Sequence, residues 1–394
     1  MKLFVGIDVS SKDLVTSIIS EEKHEVVFRG NFVNDLKGAT ELKKQIINTA
    51  NSNQIDQVII GMEATSIYSF HPAMFFQEDI DLKAFNTQSV VVDPKKTKRF
   101  HDVFAEDKND QIDAYYIADY LRVGHYSIGI VRQENYIALQ RLTRSRYEIV
   151  QSLVRVKQHF IENLYYKLNK LVISDELNTS IFGSTMMQLL TEDLTTDDLL
   201  NISINDLTDY LAEHGRGRFA DPEALAKTIQ KAVWSSYRLD KVVANSVDAV
   251  LSVYAAETKA FQKMIKDLDK SIEKVVKVTD DEQILRSIPG IGPVYAAGIL
   301  AKYAGLSWRE KQSGSYTSDN TPLKRTGNTY LRYYLVEAAN LVRTHDPVFG
   351  EYYQRKYKEV KHTPSKRALV LTARKLIRVI YFLLKNHQIY QEKR

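Results

Sequence analysis

No cysteine occurs in the 394 residues, which excludes disulfide bonds, thiolate zinc sites and cysteine nucleophiles together. Any metal must therefore be held by oxygen or histidine ligands. Long apolar runs are missing as well: no stretch approaches the roughly 18 uninterrupted apolar residues that a membrane helix needs. Charge of one sign is scarce in bulk. The 54 lysines and arginines against 49 aspartates and glutamates leave a formal charge of +5, so a nucleic-acid partner must be argued from local clusters. The opening residues, Met1-Lys2-Leu3-Phe4-Val5-Gly6-Ile7-Asp8, read as a strand. A secretory signal would need a basic segment, an apolar stretch and a small-residue cleavage site, so the expected location is the cytoplasm.

What is present is an ordinary globular composition, 44% hydrophobic and 26% charged, on a chain long enough for two or three domains. Residues 1–128 read as α/β. Strand-like runs fall at Leu3–Val9, Leu14–Ile19, Val26–Phe32, Val58–Gly61 and Leu82–Phe85, with amphipathic stretches between them. The polar Ser20–Lys23 segment suits a hairpin turn. Three antiparallel strands followed by helix, strand, helix, strand and helix is the order of an RNase H-like fold.

Residues 129–280 change to helical periodicity. Leu142, Ile149 and Val156 recur every seven residues beside Leu139, Leu153 and Phe160; later, Tyr254, Phe261, Leu268 and Val275 run beside Leu251, Ile265 and Ile272. Two long helices with matching seams predict an antiparallel hairpin within one chain or a coiled coil that joins copies of it. The segment 173–220 between them is acidic and rich in Thr, Asp and Asn, and reads as an inserted helical subdomain. Residues 281–394 are again mostly helical and more basic, punctuated by glycines.

Asp8 interrupts a buried-type strand, and Glu63 does the same at the carboxyl end of Val58-Ile59-Ile60-Gly61-Met62. A lone buried carboxylate is costly unless it is paired or bound to a metal, and in open α/β sheets ligands gather at the carboxyl ends of strands. Asp110 and Asp113 lie three residues apart, on one face of a helix near its first turn. Four such carboxylates can converge on a pair of magnesium ions roughly 4 Å apart, the arrangement that activates a nucleophile and stabilises the leaving oxygen of a phosphodiester. The plainer alternative makes Asp110 a helix cap, Asp113 a first-turn charge, and Asp8 and Glu63 turn residues. Just ahead of the aspartates, Pro94-Lys95-Lys96-Thr97-Lys98-Arg99-Phe100-His101 supplies cations for a phosphate backbone, or a solvated loop.

With these residues in view, the chain resembles the insertion-sequence one-ten family of DEDD transposases, bridge-RNA-guided recombinases that pair a RuvC-like domain with a C-terminal transposase domain. The resemblance rests on Gly6-Ile7-Asp8-Val9-Ser10, Glu63-Ala64-Thr65 and Asp110-Gln111-Ile112-Asp113-Ala114 at the front. At the back it rests on Ile288-Pro289-Gly290-Ile291-Gly292-Pro293, Tyr303-Ala304-Gly305-Leu306, Gln312-Ser313-Gly314, Gly327-Asn328 and Leu331-Arg332. It implies that Asp8, Glu63, Asp110 and Asp113 are the magnesium-holding tetrad and that Ser313 is the catalytic serine. It also implies a structured guide RNA beside the DNA of element ends and target. Two departures stand out: Trp308 replaces a usual proline, and the 173–220 insertion is long.

Around Ser313, Lys324, Arg325 and Arg332 can stabilise charge on an attacked phosphate, although no His–Asp pair nearby would take the serine proton. A serine beside glycine is also ordinary loop chemistry. The Pro289–Pro293 turn is either a phosphate-approaching helix start or a plain helix–helix turn. The basic amphipathic run carrying Lys366, Arg367, Arg374, Lys375 and Arg378 tracks phosphates or exposes a solvated face. The leading expectation is a transposase acting as a homo-oligomer, a dimer or tetramer. A hydrolytic RuvC-like junction nuclease and a non-catalytic nucleic-acid-binding protein are the alternatives.

Overall fold

The computed structural model describes residues 1–21, 25–64, 67–104, 109–124, 134–277, 280–303, 328–359 and 363–391. The chain divides into two compact units, Met1–Gln133 and Glu134–Arg394.

In the first unit the described strands are β1 (Lys2–Val9), β2 (Asp13–Ser20), β3 (Val26–Val33), β4 (Gln57–Glu63) and β5 (Gln88–Val92). The helices are α1 (Leu36–Ser52), α2 (Phe70–Glu78), α3 (Ile80–Lys83), α4 (Pro94–Phe104) and α5 (Asp110–Arg122). The sheet order is β3-β2-β1-β4-β5; β1, β2 and β3 are antiparallel neighbours, while β4 runs parallel to β1 and β5 parallel to β4. That topology is RNase H-like, as expected from the order of elements.

The apolar run of β1 is buried on both faces, as a central strand covered by helices must be. Leu3, Val5 and Ile7 pack with Leu42 and Ile46 of α1 on one side, and Phe4 packs with Tyr120 and Leu121 of α5 on the other. Helix α5 can lie this close because Gly6 and Gly61 are register partners on β1 and β4. A Cβ on Gly6 would stand 2.1 Å from the carbonyl oxygen of Ala114, and one on Gly61 would meet the Leu121 side chain at 2.5 Å.

Two local readings change. Leu82–Phe85 is not a strand, and the fifth strand begins at Gln88. The Asp79 carboxylate accepts the N–H groups of Asp81 and Leu82 at 3.0 and 3.2 Å. This starts a helical turn and leaves the β-branched Val90-Val91-Val92 run to pair with β4. The basic segment from Pro94 is not a solvated loop either. It forms α4, with proline in the first turn, where its missing N–H costs nothing.

In the second unit α6 (Glu134–Val172) precedes four short helices: α7 (Ser184–Gln188), α8 (Thr196–Asn201), α9 (Ile204–Gly215) and α10 (Pro222–Ser235). Then come α11 (Lys241–Val276), α12 (Asp280–Arg286), α13 (Pro293–Tyr303), α14 (Thr329–His345), α15 (Pro347–Glu359) and α16 (Pro364–Lys385). Helices α6 and α11 pair antiparallel. Arg146 bonds Asp269, the His159 ring stacks on Tyr254 with centroids 5.7 Å apart, and Lys167 Nζ lies 2.8 Å from the Asp248 carboxylate. Of the two arrangements left open by the heptads, the hairpin within one chain is therefore the one formed.

One end of the hairpin is covered by α7–α10 and the other by α12–α16. Between those cores Ile149, Leu153, Val156, Phe261, Ile265 and Leu268 stay half-buried, because a pair of helices cannot close its own seam. At the Pro289–Pro293 turn Gly290 adopts φ +90° and its Cα faces the backbone of Leu341 and Val342 on α14. This glycine serves helix packing in a helix–helix turn.

Candidate carboxylate site

Helix α5 delivers two of the four carboxylates. Asn109 is its cap, the side chain accepting the Ile112 N–H at 2.9 Å. Asp110 is thereby relieved of the capping role that composition allowed it and keeps its carboxylate for other partners. Ala114, Ile117, Ala118 and Leu121 continue the same face of the helix and are buried against the sheet, so the first turn overhangs the end of β1.

There Asp8, Asp110 and Asp113 each offer an oxygen, and all three oxygens lie within 4.8 Å of one another. Glu63, at the end of the adjacent β4, stands outside that threefold group. It is near enough to act electrostatically on Asp8, and it accepts a hydrogen bond from the buried Thr97 hydroxyl of α4.

The charges of the cluster act on one another. Burial first, then the negative charges of Asp110, Asp113 and Glu63, push the Asp8 carboxyl up to about 6, against a smaller opposing effect of the Val9 N–H. Among the described residues no lysine or arginine forms an ion pair with any of the four. Like charges held close together raise one another's affinity for a proton, and a bound cation relieves that repulsion. The donor set is all oxygen, which suits a hard divalent ion.

A stability test follows from the sign of the shift. In metal-free protein the unfolded chain loses the Asp8 proton near the ordinary carboxylate value, whereas the folded chain holds it to about 6. Folding is then unpenalised below about pH 4, loses stability as pH rises toward 6, and carries the full penalty above that. Thermal melts in chelator should show Asp8→Asn matching wild type at pH 4 and melting higher than wild type at pH 7. Equal melting at both values would contradict the origin assigned to the shift.

The basic cluster sits beside the carboxylates, on the helix that touches them. Lys95, Lys96, Lys98 and Arg99 are exposed on the outer face of α4, while Thr97 is buried and His101 largely so. The His101 Nε2 lies 3.7 Å from the Asp113 carboxylate. Thr97 and His101 were not among the residues singled out from sequence. Their i, i+4 spacing was visible, but only once the segment is helical does that spacing mean one shared face. Of the remaining candidates, Arg332 lies half-buried in the first turn of α14. Ser313, Lys324 and Arg325 lie outside the described residues, and so do Ser315 and Tyr316.

The sheet order and the acidic ends of its central strands define an RNase H-like protein with a carboxylate site. A family model for the DEDD transposase domain of the IS110 type matches residues 5–166, and one for the transposases of the IS116/IS110/IS902 family matches residues 298–354. Together they span more than half of the chain, and the chain belongs to this family of insertion-sequence transposases. It is 26% identical over 329 residues to the insertion element IS116 uncharacterized 44.8 kDa protein of Streptomyces clavuligerus, covering 77% of this chain and 78% of that one. It is 27% identical over 305 residues to the insertion element IS900 uncharacterized 42 kDa protein of Mycobacterium paratuberculosis, covering 72% and 73%. Among solved structures it is similar to T. thermophilus RuvC in complex with Holliday junction substrate. That match has 11% identity and a TM-score of 0.24, covering 32% of this chain and 99% of that one.

Proposed function

We propose that this transposase cuts and rejoins DNA at the ends of its element and at the target. The observation that carries this reading is the convergence of Asp8, Asp110 and Asp113, with Glu63 beside them, inside the family-matched N-terminal unit. These four residues would hold magnesium, which when bound supplies Lewis-acid polarisation of a phosphoryl oxygen. Lys95, Lys96, Lys98 and Arg99 bind the phosphate backbone and set its register. Lys324, Arg325 and Arg332, which follow Ser313 in the sequence, add further phosphate contacts.

Ser313 is the nucleophile. Its hydroxyl oxygen bonds to phosphorus, and a sugar oxygen leaves and takes up a proton. Attack by a hydroxyl of the second strand then reverses the step and releases the serine. One phosphoester replaces another, so rejoining needs no external energy source.

A structured RNA of the element selects both DNAs by base pairing, while the protein reads backbone and shape. The half-buried seam of α6 and α11 supports a homo-oligomer, a dimer or tetramer, in which a second copy covers Ile149, Phe261 and their neighbours. The protein works in the cytoplasm; among the described residues no helix is long and apolar enough to cross a membrane.

The test is a trapping experiment with protein, RNA, magnesium and nicked DNA. A covalent protein–DNA adduct should form and map to Ser313. Ser313→Ala should lose adduct and recombination together while binding DNA within about twofold, since one hydroxyl adds little to a phosphate-dominated interface. An adduct on Ser315 or Tyr316 would reassign the nucleophile. Cutting with no adduct at all would make the protein a hydrolytic nuclease.

A further inference from the structure

We infer that α4 is a positioning helix for the carboxylate site, with Thr97 orienting Glu63 and His101 orienting Asp113. The inference rests on the metal-site reading above and concerns two residues which that reading leaves unused.

The geometry begins with Thr97, whose side chain is buried under a helix whose other residues nearby are lysines and arginine. Its hydroxyl lies within reach of both the Glu63 carboxylate and the Pro94 carbonyl oxygen, the latter at 3.2 Å. A hydroxyl has one proton to donate, and the ionised acceptor makes the stronger bond. Thr97 therefore engages Oε1 of Glu63. A glutamate has three rotatable bonds, so fixing one oxygen removes most of the ways in which the other could turn away from Asp8.

One helical turn later, His101 is 13% exposed, and its ring meets the edge of Tyr116 with centroids 4.9 Å apart. Its Nε2 is buried, has no hydrogen-bond partner among the described residues, and lies 3.7 Å from Oδ1 of Asp113. That separation is too long for a hydrogen bond, yet closing it by less than about 1 Å makes one. A neutral ring with its proton on Nε2 is sufficient, and the bond would hold the second oxygen of a ligand carboxylate while the first faces the ion. Such outer partners commonly change metal affinity by roughly 10- to 100-fold when removed.

The outward cations complete the argument. Lys95, Lys96, Lys98 and Arg99 share 11 residues of helix with Thr97 and His101, so the backbone phosphates and two of the four carboxylates are referred to the same rigid element. A loop carrying the same cations would bind phosphate without fixing it relative to the carboxylates.

The experiment is calorimetric titration of the full-length protein with magnesium and with manganese, alongside single-turnover cleavage. Thr97→Val and His101→Phe should each weaken metal affinity about tenfold or more and lower the cleavage rate at subsaturating metal. The metal-free fold and DNA affinity should be retained, with any loss of thermal stability in Thr97→Val recovered in Thr97→Ser. The conservative variants Thr97→Ser and His101→Gln, which restore a donor at the same place, should recover affinity to within about threefold, which a merely structural role would not produce. Asp8→Asn serves as the reference. If it abolishes metal binding while Thr97→Val and His101→Phe bind metal like wild type, the site reading stands and the positioning role is wrong. If Asp8→Asn leaves metal binding intact, the site reading fails and takes this inference with it.

Discussion

Asp8→Asn and Asp113→Asn should each abolish DNA cleavage, by about 10³-fold or more, with the fold and the affinity for nucleic acid retained. Each substitution removes a ligand charge and keeps the shape of the side chain. The oxygens of Asp8, Asp110 and Asp113 already lie within 4.8 Å of one another, so the loss of either leaves a site with too few anionic donors for a hard cation. Several kcal/mol of transition-state charge stabilisation depend on that cation, and every roughly 1.4 kcal/mol is tenfold in rate. Circular dichroism and gel-shift binding establish that the protein is intact, and magnesium calorimetry reports the site directly. Normal cleavage and normal metal binding in both variants would remove the basis for the assignment.

Gly6→Val should be the most damaging single change in the N-terminal unit. Gly6 is central in β1, and even a Cβ there meets the Ala114 carbonyl oxygen at 2.1 Å and the Ala118 nitrogen at 2.4 Å. Both are backbone atoms of α5, so no side-chain rotation relieves the clash and the helix must lift. Overpacking a core usually costs about 1–3 kcal/mol; with only backbone to displace, about 4 kcal/mol or more is expected. Because α5 carries Asp110 and Asp113, metal affinity should fall together with stability in denaturant melts. Gly292→Ala, where a Cβ meets nothing within 4 Å, is the matched control and should change stability by less than about 1 kcal/mol. A Gly6→Val protein that melts like wild type would mean that α5 does not rest on this strand as described.

The sequence alone singled out the acidic residues and most of the elements that carry them. Asp8 and Glu63 betrayed themselves as charges at the ends of apolar strands, and Asp110 and Asp113 by a three-residue spacing. The long helices were legible because a heptad repeats many times over. Where signals were short, the reading failed. Leu82–Phe85 looked like a strand because four residues do not distinguish a strand from a helical turn, and the decision belonged to the Asp79 carboxylate capping α3.

What only the tertiary structure decided was which groups meet. Nothing along the chain says that the α6 and α11 seams face each other, since the same heptads serve equally within one chain or between two. Nothing in the run Lys95–His101 says that Thr97 and His101 turn inward to Glu63 and Asp113 while the cations turn outward. Residue types and periodicity are local properties, written in the order of the chain. The distance between Thr97 and Glu63, 34 positions apart, is set by how β4, β5 and α4 pack, and packing is a property of the whole unit.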